Sequence, residues 1–187
     1  MLPLAFNLAG VEVLVIGAGA IGARKASQLI EAGARVTVIS EDVLSPLPAG
    51  VVRLERRRYV RGDLRGFSLV VSATGDTAVN DVVVEEAREE RLWLNVVDDP
   101  GRSSFYFMAL HRQGDVTVAV STAGAAPALA QELRTLVANA LPDNLARVAD
   151  SLRDERRRLH EDGMSTEGID WRPRIRELLT AHDGGDV

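Results

Sequence analysis

The run Val11-Glu12-Val13-Leu14-Val15-Ile16-Gly17-Ala18-Gly19-Ala20-Ile21-Gly22 decides the fold of this chain. An apolar, β-branched stretch ends in G-x-G-x-x-G and passes straight into a helix-forming segment. Each glycine of such a turn has a separate physical task. Gly17 allows the tight turn out of the strand. Gly19 lacks a Cβ, so a pyrophosphate can approach the backbone. Gly22 lets the helix lie close to the sheet. The N–H groups of Ala20, Ile21 and Gly22 then open the helix, with the positive end of its dipole behind them.

The flanks support this reading. In Ala23-Arg24-Lys25-Ala26-Ser27-Gln28-Leu29-Ile30-Glu31-Ala32-Gly33, the apolar positions Ala26, Leu29 and Ile30 fall at helical spacing, and Gly33 suits the position just past the helix end. Val36-Thr37-Val38-Ile39 is a second strand, completing a βαβ unit. In dinucleotide sites an acid at the end of that strand holds the ribose hydroxyls. The strand is expected to end at Ser40, with Glu41 and Asp42 one and two residues late. Either acid could reach the ribose, and Ser40 and Glu41 are the candidate cofactor contacts at this strand end. No arginine follows at once to receive a 2′-phosphate, which favours NAD over NADP.

The composition is that of an ordinary globular chain of 187 residues. With no cysteine, a thiolate metal site, a disulfide and a cysteine nucleophile are excluded, in keeping with a reducing cytoplasmic setting. The N-terminal Met1-Leu2-Pro3-Leu4-Ala5-Phe6 lacks a basic flank and a long apolar core, so no signal peptide is expected. No apolar run is long enough to cross a bilayer, and no membrane partner is expected. The net charge of −5 argues against nucleic acid as a partner. Lys25 is the only lysine, so a Schiff-base mechanism would have only that residue to use.

Strand and helix patterns alternate over the first hundred residues. Val51–Glu55 reads as an edge strand, 63–67 as a turn, Ser68–Thr74 as a buried strand, Asp76–Glu90 as a helix and Trp93–Val97 as a strand. This alternation builds a parallel sheet with helices on both faces, an α/β fold whose ligands bind beyond the carboxyl ends of the strands. After Pro100 the pattern changes. Ser104–Ala109 and Val116–Ser121 read as a strand pair joined by His111–Asp115. Helices are expected over Ala126–Leu141, Asn144–His160 and Trp171–Ala181, and the tail Asp183–Asp186 is expected to fray.

Two arginine clusters, Arg53 to Arg61 and Arg153 to Arg158, are interleaved with acids or lie on surface elements, and read as solvated faces. His111, His160 and His182 show no metal-ligand spacing, so no metal site is expected. Asp98-Asp99-Pro100 places two carboxylates at the end of a strand. Neighbours on extended chain point in opposite directions, so one can face the cleft, partly buried, while the other caps the turn. A carboxylate in a cofactor cleft can act as a general base.

Six blocks, in order, make the chain resemble the precorrin-2 dehydrogenase family, the N-terminal module of siroheme synthases. They are Pro3-Leu4-Ala5-Phe6-Asn7-Leu8; Gly17-Ala18-Gly19-Ala20-Ile21-Gly22-Ala23-Arg24-Lys25-Ala26; Ala73-Thr74-Gly75-Asp76-Thr77-Ala78-Val79-Asn80; Asn95-Val96-Val97-Asp98-Asp99-Pro100; Ser104-Phe105; and Val120-Ser121-Thr122-Ala123-Gly124-Ala125-Ala126-Pro127. The chain departs from the family where Met108 replaces a proline, Ala126 replaces a serine, and Gly17-Ala18-Gly19 replaces a triple glycine.

The resemblance implies oxidation of precorrin-2 to sirohydrochlorin with NAD, with ferrous iron insertion to siroheme as a second activity of some members. It implies a Rossmann-like domain over 1–102, a dimerisation element over 103–141 and a C-terminal helical domain over 142–187, assembled as a homodimer. Asp98 matches the family's catalytic aspartate, and Thr74 and Asn80 match residues near the cofactor. The tetrapyrrole's carboxylates call for cationic or N–H-rich walls. Arg24, Lys25 and the turn Ser121, Thr122 and Gly124 are the substrate-binding candidates, with Arg102, Arg112 and Arg134 as further cations. No methyltransferase module lies within these residues, so uroporphyrinogen methylation is not expected. The alternative is a non-catalytic NAD-sensing regulatory module. Such a module carries its ribose acid at the position of Ser40, and the Asp98 block has no place in it.

Overall fold

Val13, Leu14 and Val15 have no solvent exposure and sit at the centre of a parallel sheet. Strands buried on both faces read as continuous apolar runs, and this one does. The structure, a computed structural model, describes residues 2–181; His182 and the tail Asp183–Asp186 lie outside the described residues. The described chain forms two compact units, the first ending at Tyr106 and the second beginning at Phe107.

The first unit runs β1 (Glu12–Ala18), α1 (Ala20–Glu31), β2 (Arg35–Val43), β3 (Arg53–Glu55), β4 (Leu69–Ser72), α2 (Thr77–Glu89) and β5 (Trp93–Val96), then a 3-10 turn, Pro100–Arg102. The strands pair in the order β3-β2-β1-β4-β5, all parallel. The order reverses between β1 and β4, and in an open sheet of this kind the crevice beyond that point is where ligands sit. Leu14, Ile16, Ile39, Val70, Val83, Leu94 and Val96 share one core cluster with Tyr59 and Leu64. Each fully buried aliphatic side chain contributes about 1.5–3 kcal/mol relative to exposure.

β2 does not stop at Ser40, as the sequence suggests, but continues to Val43. The register explains the difference: Ile16 faces Ile39 and Ala18 faces Val43, so Ser40, Glu41 and Asp42 stand opposite Gly17 alone. The extra residues bulge outward while the strand carries on. Buried Glu86 ties α2 to the loop before β4, accepting hydrogen bonds from Tyr59 Oη, from Gly62 N (2.9 Å) and from Leu64 N (3.3 Å).

The second unit contains a hairpin, β6 (Ala109–Gln113) and β7 (Val116–Val120), followed by α3 (Pro127–Ala140), α4 (Leu145–Glu161) and α5 (Arg172–Thr180). The hairpin starts later than the sequence predicts. Ala109 pairs with Val120 and Gln113 with Val116, which makes His111–Gln113 strand and leaves Gly114 and Asp115 as the turn. The aromatic segment 104–107 is not strand; Ser103 and Ser104 instead hydrogen-bond along the outer edge of β5. Among the described residues, no helix is long and apolar enough to cross a membrane.

Candidate dinucleotide site

At Gly17 and Gly22 the turn has the tight geometry its spacing implies. Gly17 has φ of +100°, and a Cβ there would stand 2.7 Å from the Ala73 carbonyl oxygen. A Cβ on Gly22 would lie 2.1 Å from the Gly17 carbonyl oxygen, so only glycine permits this approach of α1. A Cβ on Gly19 would meet nothing within 4 Å. Open space at Gly19, beside two contacts with no room for a methyl group, leaves a cradle with room for a phosphate.

Helix α1 begins without a side-chain cap, and its first internal bond runs from Ala23 N to Gly19 O at 2.9 Å. The N–H groups of Ala20, Ile21 and Gly22 precede that bond and face the cradle end of the helix. The residues therefore fit the pyrophosphate of a dinucleotide.

The bulge of β2 borders this turn. Ser40 Oγ accepts from Ala18 N at 3.1 Å and donates to the Asp42 carbonyl at 2.7 Å, so the hydroxyl braces the turn from below. Glu41 is exposed and forms an ion pair with Arg58, Nε to Oε2 2.8 Å.

On the β4 side, Ser72 Oγ donates to Asn80 Oδ1 at 2.6 Å and Asn80 Nδ2 donates to the Thr74 carbonyl at 3.2 Å. Asn80 is buried, and both ends of its amide are engaged. It shapes the 73–76 loop, whereas Thr74 lies on the rim and its hydroxyl accepts from Asp76 N at 3.1 Å. Asp76 caps α2 through Ala78 N and Val79 N.

At the end of β5 the two aspartates divide their tasks. Asp99 accepts from Arg102 N at 3.2 Å and from Arg102 Nε at 2.5 Å, and the guanidinium holds its carboxyl below the usual range. Arg102, put forward from the sequence as a further cation, also pairs with Asp81 of α2 at 2.7 Å, so it clamps the two carboxylates. Ser103 Oγ adds hydrogen bonds to the Val96 and Asp99 carbonyls.

Asp98 takes φ of +60°, a left-handed backbone unusual outside glycine. It is exposed and not partly buried, which corrects the expectation from strand alternation: the left-handed turn rotates it off the strand. Its carboxylate acts on Lys25 of α1. Burial pushes the Lys25 amine down to about 8, Arg24 adds to that shift, and Asp98 partly opposes it. Lys25 Nζ also reaches Gln28 Oε1 at 3.5 Å, while Arg24 is exposed. One face of the helix that opens at the glycine turn is thereby coupled to the end of β5.

Ser121, Thr122 and Gly124 belong to the second unit, where they form the turn entering α3. Ala123 N donates to Ser121 Oγ at 3.1 Å and Ala126 N to Thr122 Oγ1 at 3.2 Å, and Ala123 and Gly124 are both left-handed. Arg112 lies on β6 and Arg134 on α3.

Residues 4–109 match the model of a family described as "Putative NAD(P)-binding". The chain belongs to this NAD(P)-binding family. Its relatives make the kinship narrower. Over 160 residues it is 40% identical to the siroheme synthase of Methylococcus capsulatus, covering 82% of this chain and 34% of that protein. Siroheme synthase 2 of Aeromonas hydrophila is 37% identical over 163 residues, 84% of this chain and 35% of the relative. The chain thus spans about a third of the length of the curated relatives it matches. Among solved structures, SirC, a precorrin-2 dehydrogenase, superposes with a TM-score of 0.71 at 25% identity, covering 96% of this chain and 88% of its own. This NAD(P)-binding chain therefore has the kin that its sequence blocks implied, and the α/β Rossmann-like architecture is shared with SirC.

Proposed function

We propose that the protein is an NAD-dependent precorrin-2 dehydrogenase acting in siroheme biosynthesis. The observation that carries this reading is Asp98, held left-handed at the end of β5 and coupled to Lys25 on the glycine-turn helix. Backbone strain of this kind persists only where the surroundings enforce it, and it gathers at functional sites. Here the hydrogen bond from Asp99 N to the Val96 carbonyl, 3.1 Å, closes the turn around Asp98, and Arg102 and Ser103 in turn hold Asp99.

Bound NAD supplies the hydride acceptor. The chain's own part is acid–base chemistry and positioning. Removing two hydrogens from the macrocycle sends a hydride to the nicotinamide and a proton to a base, and Asp98 is that base. Asp98 is also the group to receive pyrrole protons when ferrous iron, as a substrate, enters the product. The N–H groups of Ala20, Ile21 and Gly22 hold the pyrophosphate, Thr74 lies along its rim, and Ser40 and Asn80 support the walls. Arg24 and Lys25 are the cations assigned to the substrate's carboxylates. Ser121, Thr122 and Gly124 keep the assignment to substrate that the resemblance gave them.

The division into a cofactor domain to residue 102, a dimerisation element to 141 and a helical domain beyond it remains part of this proposal. Helix α3 supports a homodimer: Leu129, Leu133 and Leu136 are 51%, 38% and 55% exposed on one face, while Ala130 is buried. We assign the protein to the cytoplasm.

An anaerobic assay of the purified protein with precorrin-2, with and without NAD and ferrous iron, tests the proposal. NADH absorbance should rise in step with sirohydrochlorin only when NAD is present. A siroheme band appearing only in the iron-containing arm would establish chelation. NAD binding without NADH formation would instead favour the regulatory module.

A further inference from the structure

The parallel pairing of β3 with β2 brings an arginine to the place where the sequence showed none. Thr37 faces Arg53 and Ile39 faces Glu55, so the chain leaving β3 emerges beside the bulge of β2. Three arginines follow in a row, and they differ in their partners. Arg57 is engaged by Asp63 through two nitrogens, at 2.6 and 2.9 Å, and by Glu55. Arg56 is exposed, with no hydrogen bond or ion pair to it among the described residues. Arg58 reaches across to Glu41.

Glu41 follows directly on Ser40, whose hydroxyl is bonded to Ala18 within the glycine turn. The Glu41–Arg58 pair therefore stands in the bulge of β2, one residue from the hydroxyl that braces the glycine turn, at the side of the turn where a dinucleotide presents its adenosine ribose. Ser40 is the weaker partner there, because its hydroxyl hydrogen is already given to the Asp42 carbonyl and its oxygen already accepts from Ala18 N, whereas Glu41 offers a full carboxylate. Side-chain exposures of 54% for Glu41 and 70% for Arg58 leave the pair in solvent, where such bridges are weakly held and easily remodelled.

We propose that Glu41 and Arg58 together set the choice between NAD and NADP. The inference rests on the reading of the glycine turn as a dinucleotide site, and it deepens that reading. Glu41 accepts a hydrogen bond from the ribose 2′-hydroxyl of NAD and keeps Arg58 turned towards itself. The 2′-phosphate of NADP meets the Glu41 carboxylate, and like charges at that distance repel. When Glu41 loses its charge, Arg58 is released, and its planar fork suits a phosphate. The arginine for NADP is thus present but held by the acid that selects NAD.

Binding constants for NAD and NADP, measured by calorimetry on the whole protein, test this without any turnover. Wild type should bind NAD more tightly. Glu41→Gln should shift the NAD-to-NADP affinity ratio towards NADP by about tenfold or more, the scale of one charge-assisted contact. Arg58→Ala alone should leave NAD binding nearly unchanged. In the double variant the NADP gain should vanish. Both side chains are exposed, so the folded state is not at risk. An unchanged ratio in Glu41→Gln, a gain that survives in the double variant, or a wild-type preference for NADP would each overturn the proposal. Binding of neither nucleotide by wild type would instead refute the dinucleotide site itself, a result the wild-type arm separates from the others.

Discussion

The Cα of Gly17 lies so close to the Ala73 carbonyl that a methyl group between them would stand 2.7 Å from the oxygen. The turn out of β1 is thereby locked to the end of β4, and the two strands on either side of the order reversal share one wall. Gly17→Ala faces both that clash and φ of +100°. It should destabilise the protein by about 3 kcal/mol, read by urea denaturation. Gly19→Val, two residues on, points into open space. It should leave the denaturation midpoint nearly unchanged and abolish NAD binding. If NAD affinity survives Gly19→Val, the cradle does not hold the pyrophosphate.

Asp98 separates chemistry from stability. Asn tolerates the left-handed region and glycine prefers it. Asp98→Asn should keep the backbone and NAD affinity while lowering NADH formation from precorrin-2 by at least about 100-fold, the usual scale of a lost general base. Asp98→Gly should be equally inactive yet no less stable than wild type, because it relieves φ of +60°. An active Asp98→Gly variant would remove the carboxylate from the mechanism.

Lys25 gives the stability a pH signature. Its amine is lowered from 10.5 to about 8 in the folded chain, first by burial and then by Arg24. Between those values the unfolded chain binds the extra proton, so unfolding takes up a proton and folded-state stability rises with pH. Below about 8 the cost of burying the charge is fully present. Lys25→Met has no such titration. The difference in unfolding free energy between wild type and variant should therefore move in favour of wild type as pH is raised through this window. Parallel pH profiles for the two proteins would show that Lys25 does not titrate there.

Glu86 is 3% exposed and collects the Tyr59 hydroxyl and two backbone N–H groups. Burial, and then the bond to Glu86, push the Tyr59 phenol well above its ordinary value. Glu86→Leu would leave three donors without a partner and should cost about 3 kcal/mol or more in denaturant unfolding. NAD affinity of the folded fraction should be unaffected.

The leucine face of α3 predicts its own test. Replacing Leu133 and Leu136 with aspartate alters two exposed positions and leaves buried Ala130 in place. Sedimentation should then report monomers where wild type sediments as a dimer. Wild-type monomers at micromolar concentration would dispose of the assigned interface.

The βαβ core was readable from residues 11–39 because an apolar run, a glycine turn and a helical stripe all point the same way. The bulge of β2 was not, since it arises from a register jump against β1 that neither strand shows alone. The 104–107 segment misled through its aromatic β-propensity, which lost to serine hydroxyls bonding the β5 edge. The exposure of Asp98 was hidden by a left-handed turn that strand alternation does not foresee. Arg58 looked like part of a solvated cluster, and only the pairing of β3 with β2 gives it a neighbour. The signal was present in principle: a short strand followed by arginines, next to the strand that carries the acid.

The serines after the 3-10 turn have a consequence for how the protein behaves in a crowded solution. β5 is the last strand on its side of the sheet, and its outward N–H groups at Leu94 and Val96 donate to Ser104 Oγ at 2.8 Å and Ser103 Oγ at 2.9 Å. A strand from another molecule finds those donors taken, so the sheet cannot grow there. On the opposite side β3 has only three residues and offers little to extend. Protection against edge-to-edge growth of the sheet into aggregates is thus supplied by two hydroxyl groups at one margin and by brevity at the other.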